Sequence, residues 1–115
     1  MEKRNIVKCH ASGIRAVKDA MDVLSGNWKL PILTSLYEGT KRFKQISREV
    51  EGISDKMLSK ELKELEMNQL VKRTVLDTFP PKVEYELTEH AATLEKLLDA
   101  MRDWGLLHRQ KIVGK

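Results

Sequence analysis

Residues 53–66 read Ile-Ser-Asp-Lys-Met-Leu-Ser-Lys-Glu-Leu-Lys-Glu-Leu-Glu, a stretch with two opposed faces at helical spacing. At about 100° per residue, Leu58, Leu62 and Leu65 fall within roughly 60° of one another, and Lys56, Lys60 and Lys63 gather on the far side. One face is built to be buried; the other keeps its charge in water. Ser54 stands where a hydroxyl can accept a hydrogen bond from the first free amides, and Asp55 where a carboxylate meets the positive end of the helix dipole. The helix is predicted to begin just after Gly52 with its first turn facing outward. In a helix-turn-helix, that turn meets the edges of DNA bases. A surface helix with merely solvated lysines shows the same pattern in isolation, so its neighbours carry the decision.

Upstream, Phe43, Ile46 and Val50 mark one face of a short helix closed by Gly52, with Thr40 and Lys41 as an extended link before it. A short helix, a glycine corner and a second helix with a cationic outer face predict a helix-turn-helix. Downstream the period changes. Residues 70–78 and 83–87 are rich in β-branched and apolar residues and are separated by Phe79-Pro80-Pro81-Lys82, which predicts a hairpin with a stiff tip. Val83, Tyr85 and Leu87 alternate with Glu84 and Glu86, so the returning strand is expected to bury the first set and solvate the second. The expected fold is mainly α with a small β-hairpin wing, a winged helix-turn-helix.

The flanks supply two more apolar stripes. Ile14, Val17, Met21 and Leu24 predict a first helix over about residues 13–25, stopped by Gly26. Trp28, Ile32, Leu33 and Leu36 predict a second, with Pro31 in its first turn and Gly39 at its end. Thr88 is placed to cap a single long last helix carrying Leu94, Leu97, Leu98, Met101, Trp104 and Leu107. A small domain has little surface with which to hide both terminal stripes, so a homodimer through Ile14, Val17, Met21, Leu24, Leu94, Leu97, Leu98, Met101 and Trp104 is expected. The competing arrangement folds both helices back on the protomer's own core.

Length and composition bound the rest. A chain of 115 residues allows one domain, read as a flexible basic tail over residues 1–12 and a single domain over residues 13–112. The 21 Lys+Arg against 17 Asp+Glu leave a net charge of +4, which permits a polyanionic partner. No apolar run approaches the length of about 18 residues that a membrane span needs, and the charged N-terminus lacks a signal-peptide core, so a cytoplasmic protein is expected. His10, His90 and His108 are scattered, and no glycine-rich phosphate loop or nucleophile motif occurs, which argues against an enzyme and against a bound cofactor. The single cysteine, Cys9, excludes a disulfide within the chain. Lys3, Arg4, Lys8 and His10 around it favour a thiolate, yet a lone cysteine in a polar tail is more often an inert thiol.

Taken together, certain segments resemble the HxlR type of transcription regulator, a winged-helix branch related in architecture to the MarR group. The resemblance rests on Gly26-Asn27-Trp28-Lys29 with Pro31-Ile32-Leu33, on Gly39 and Arg42-Phe43, and on Gly52-Ile53-Ser54 with Met57-Leu58, Leu62 and Leu65-Glu66. It continues through Leu70-Val71, Arg73-Thr74-Val75, Pro80-Pro81, Val83-Glu84-Tyr85-Glu86-Leu87-Thr88 and Trp104-Gly105. It implies a homodimer that binds a partly palindromic double-stranded operator and acts as repressor or activator. Several members sense oxidants or electrophiles through an N-terminal cysteine, usually followed by proline; here His10 follows Cys9.

The expected DNA surface comprises Ser54, Lys56, Ser59, Lys60 and Lys63 on the reading helix, Arg42, Lys44 and Arg48 as phosphate clamps beside it, and Lys82 at the wing tip. Lys72 and Arg73 lie on the first wing strand. The alternatives are an effector-responsive regulator with an apolar pocket near Trp28 and Trp104, a metal-responsive one using Cys9 and His10 with His90 or His108, and a winged helix used only for protein–protein contact. The last has no need of the aligned lysines.

Overall fold

The computed structural model describes residues 11–114. The chain runs α1 (Ala11–Val23), α2 (Lys29–Leu36), β1 (Lys41–Arg42), α3 (Phe43–Glu49), α4 (Asp55–Met67), β2 (Val71–Leu76), β3 (Lys82–Leu87), α5 (Glu89–Ala92) and α6 (Glu95–Val113). Helices α2, α3 and α4 enclose the core through Ile32, Leu33 and Leu36, through Ile46, and through Leu58, Leu62 and Leu65. Val50, Ile53, Leu70, Val71, Ala91 and Leu98 complete it. The leucine face of residues 53–66 is thus the buried one. Leu62→Ala, which opens a cavity at a 2 % exposed position, should cost about 2–5 kcal/mol. Chemical denaturation checks this directly, and a loss below about 1 kcal/mol would mean that the site collapses around the gap.

The wing differs from the expected two-stranded hairpin. Lys41 and Arg42 form a third strand, antiparallel to β3, and the sheet order is β1-β3-β2. In register, Lys41 faces Tyr85 and Val71 faces Leu87. With a neighbour on each side, β3 is the central strand, and Glu84 and Glu86 are half-buried alongside Val83, Tyr85 and Leu87. The expected split into a dry and a wet face is therefore blurred.

The C-terminal segment is two helices where one was expected. Thr88 does cap, its hydroxyl accepting from the Ala91 amide at 3.0 Å, but it caps α5. The ladder then tightens: the amides of Thr93 and Leu94 reach back three residues to the carbonyls of His90 and Ala91. Thr93 Oγ1 also donates to the His90 carbonyl at 2.5 Å. These bonds end one helix, and α6 follows with no glycine or proline at the break. At the other end, α1 lies two residues earlier than the spacing suggested, and α2 stops at Leu36, three residues before Gly39.

The terminal stripes divide. Leu98 is buried in the protomer's own core, and Leu24 and Leu94 pack half-buried against it. Ile14, Val17, Met21, Leu97, Met101 and Trp104 remain exposed, joined by Leu106, Leu107, Ile112 and Val113. No helix among the described residues is long and apolar enough to cross a membrane.

Candidate nucleic-acid interface

The reading helix is set by local chemistry. After α3, Gly52 takes φ +89, a left-handed conformation open to glycine, and Ile53 drops into the core. Ser54 Oγ accepts from the Met57 amide at 3.1 Å, the expected N-cap. Asp55 opens α4 and is gathered toward α3, with Ser47 Oγ donating to it at 3.4 Å and Lys44 Nζ 3.7 Å away. Helix α4 therefore leaves the turn at a fixed angle, its leucines inward and Lys56, Ser59, Lys60 and Lys63 exposed.

Two hollows show how the wing meets the helices. One, of about 690 Å³, is lined by Arg42, Phe43, Lys44, Gln45 and Arg48 on one side and by Pro80, Pro81, Lys82 and Val83 on the other. It brings together four cations that lie up to forty positions apart in the chain (82 − 42). The other, of about 280 Å³, sets Ser59, Lys63 and Glu66 of α4 against Arg73 and Tyr85 of the sheet. Arg73, read from sequence only as a strand residue, thereby stands beside the exposed face of α4. Among the described residues Arg42, Arg48, Lys56, Lys63, Arg73 and Lys82 hold no ion pair, so their charge is available to an incoming anion.

Lys60 is different. Its ammonium lies 3.1 Å from Glu64 Oε2 and 3.6 Å from Glu61 Oε2. The remaining oxygens of both carboxylates hold Lys29 of α2, at 2.6 Å from Glu61 Oε1 and 2.7 Å from Glu64 Oε1. Lys29 and Glu61 are both buried, so this pair is shielded from water although α4 is charged along its outer face. Burial pulls the Lys29 pKa down, but the hydrogen bonds it donates to Glu61 and Glu64 outweigh it and leave the ammonium above its ordinary value. Glu64, bonded to Lys29 and then to Lys60, is held below the usual carboxylate range, and Lys60 is raised chiefly by Glu64. No signal in one dimension marks a lysine and a glutamate 32 positions apart as partners.

A second buried cation, Lys41, ties β1 to α3 and to the end of α2. It reaches Glu49 at 2.5 Å and Glu38 at 3.2 Å, and Ser35 Oγ donates to the same Glu49 oxygen at 2.8 Å. These bonds, Lys41 first, lower the Glu49 pKa. A carboxylate lowered by folding contributes stability that is complete above its unfolded pKa, near 4.5, and is lost as the pH falls through the folded value. The melting temperature of Glu49→Gln should accordingly fall less steeply than the wild type's below that pH; parallel curves would mean the pair is energetically silent.

Cys9 and His10 fall outside the described residues, and with them the sensor and metal readings built on them. Among the described residues no three His, Cys, Asp or Glu side chains are grouped to hold a metal ion. Trp104 stacks on His108, ring centroids 4.7 Å apart, on the exposed side of α6, while Trp28 packs against the core. A groove of about 770 Å³ runs between α2 and α6, lined by Leu30, Pro31, Thr34, Tyr37, Leu98 and Met101 among others, and neither tryptophan lines it.

A capped reading helix behind a glycine turn, followed by a sheet whose tip closes over a cationic cleft, defines a winged helix-turn-helix DNA-binding protein. The model of the HxlR-like helix-turn-helix family matches residues 23–112, and the chain belongs to that family. It is similar to the HTH-type transcriptional regulator YtcD of Bacillus subtilis, 39 % identical over 99 residues, which cover 86 % of this chain and 79 % of that one. Among solved structures it resembles the redox regulator HypR in its reduced form, with a TM-score of 0.81 and 37 % identity over 87 % of this chain and 99 % of the other. Diamide-treated YodB of B. subtilis gives a TM-score of 0.68, with 40 % identity over 77 % of this chain and 88 % of that one. The protein is a helix-turn-helix transcriptional regulator and not an enzyme.

Proposed function

We propose that two copies of the chain pair through their terminal helices and read a partly palindromic operator, α4 in the major groove and the wing against the flanking backbone. The observation that carries this reading is the convergence of Arg42, Lys44, Arg48 and Lys82 on one cleft, which the Lys44–Asp55 pair ties to the first turn of α4 with its exposed lysines. Lys56, Ser59 and Lys63, with the capped first turn at Ser54, supply donors for base edges, and the cleft supplies phosphate contacts. Dimerisation is supported by the exposed Ile14, Val17, Met21, Leu97, Met101 and Trp104, an apolar surface that water disfavours and a two-fold partner covers.

The test is selection of duplexes from a random pool by the purified protein, followed by binding of the enriched duplex at increasing salt. Affinity should fall steeply and log-linearly, with a slope of about −0.9 for each phosphate neutralised. Sedimentation should show two chains in the free protein and on the duplex. Failure to enrich any duplex would reject the reading.

A second reading concerns the signal. HypR is a redox regulator solved in oxidised and reduced forms, and YodB was solved after diamide treatment. With one cysteine in the chain, oxidation of Cys9 would join it to a partner chain or to a small thiol. Diamide should then shift affinity for the enriched duplex, and Cys9→Ser should bind DNA without responding. An unchanged response in that variant assigns the signal to a different effector.

A further inference from the structure

Lys29, Glu61, Lys60 and Glu64 close a ring in which two lysines alternate with two glutamates, every carboxylate oxygen facing one ammonium. The ring has an inside and an outside. Lys29 lies 5 % exposed on α2, whereas the Lys60 side chain is 61 % exposed on the outward face of α4. Glu64 bridges the two levels, with Oε1 on the buried lysine and Oε2 on the exposed one. Its orientation is therefore set from beneath, by a residue of a different helix, and it in turn fixes the Lys60 ammonium.

This has a chemical consequence for what Lys60 can bind. An ammonium carries three donors, and Glu64 occupies one, leaving others for an acceptor. A phosphate approaching Lys60 meets the Glu64 carboxylate about 3.1 Å from the ammonium and is repelled by it. The neutral oxygen and nitrogen acceptors of a guanine edge meet no such repulsion. Lys56 and Lys63, with no carboxylate partner among the described residues, have no such bias.

Building on the DNA-reading role above, we propose that Glu64, anchored by the buried Lys29, is a positioning residue that holds Lys60 for base edges and away from phosphates. Lys60 is then biased toward sequence discrimination, while the unpaired Lys56 and Lys63 can take base edges and phosphates alike. Lys29, which touches no DNA in this arrangement, becomes a hidden determinant of specificity.

The experiment compares wild type, Glu64→Gln, Glu64→Asp, Lys60→Ala and Glu64→Gln/Lys60→Ala. The probes are the duplex enriched by the wild type, roughly three helical turns long, and the unselected pool. Glu64 is half-exposed and its removal leaves the Lys29–Glu61 pair in place, so the variants should fold; their melting curves confirm it. Glu64→Gln should lower the ratio of enriched-duplex to pool affinity about tenfold, the scale of one base pair left unread. Its pool binding should strengthen, with a salt slope steeper by about 0.9 as the released lysine takes a phosphate. Glu64→Asp keeps the charge but is a methylene too short to bridge both lysines, and it should lose discrimination with little gain in pool binding. In the Lys60→Ala background, Glu64→Gln should leave the ratio unchanged. The proposal is overturned by an unaltered ratio in Glu64→Gln, or by an equal drop with and without Lys60. Enrichment of a duplex by the wild type separates these outcomes from failure of the DNA-reading role itself, which would appear as no enrichment at all.

Discussion

Lys29→Met should lower the unfolding free energy by about 3–5 kcal/mol, because it leaves Glu61 charged and buried without its closest partner. Methionine fills much of the space of the lysine stem, so the loss is electrostatic rather than a cavity effect. A domain of this size has a total stability of about 5–15 kcal/mol, so the variant should lose a large share of it and melt at a markedly lower temperature. The denaturant midpoint should fall with an unchanged m-value. A second variant separates the two possible causes. Lys29→Met combined with Glu61→Leu removes both buried charges and should recover most of the loss, since replacing a whole buried ion pair by apolar side chains is often neutral or better. If the double variant is no more stable than Lys29→Met, packing at this junction and not the stranded carboxylate sets the cost.

Replacing Lys56, Lys60 and Lys63 together by alanine should weaken binding of the enriched duplex by more than about a hundredfold, at roughly 1–3 kcal/mol for each base no longer read. Its stability should change little, since all three side chains are exposed and their helix is held from the opposite face. Alanine is also a better helix former than lysine, which offsets the loss of the Lys60–Glu64 pair. Leu62→Ala should give the reverse pattern, an early melt and a binding loss that disappears under conditions where the variant is folded. Normal binding by the triple variant would remove α4 from the interface.

The difference between what was legible in the sequence and what was not follows the range of the interactions. The reading helix was legible because its causes are local: a serine cap three residues from the amide it accepts, a glycine at positive φ, and leucines at helical spacing. The wing was legible as a hairpin for the same reason. Strand β1 was not, because two residues carry no period and Lys41–Arg42 is a strand only by virtue of β3 beside it. That third strand lies opposite Tyr85 and Glu84, so Glu84 is less exposed than its alternation suggested. The break between α5 and α6 is made by backbone bonds three residues long and by the Thr93 hydroxyl, which spacing of apolar residues does not register. Leu98 belonged to the same stripe as Met101 and Trp104, yet it lies in the core while they, further along α6, stay outside.

For the candidate site, residue type and local order identified the individual cations, but their grouping depended on tertiary contact. The cleft that unites Arg42, Lys44 and Arg48 with Lys82 exists because β1 pairs with β3 and carries the wing back over α3. Arg73 enters the surface through the sheet, and Lys29 enters beneath it from α2. The lysine stripe of α4, uniform in sequence, is in three dimensions two unpaired lysines and one held by a glutamate ring.

Hydroxyl-radical footprinting on the enriched duplex tests most directly whether α4 of two paired chains reads the operator. Two protected patches related by a two-fold axis are expected, with centres about 34 Å apart or a multiple of that distance, both lost together in the Lys56/Lys60/Lys63 alanine variant. A single patch without two-fold character, or two patches that survive the loss of those lysines, would contradict that role of α4.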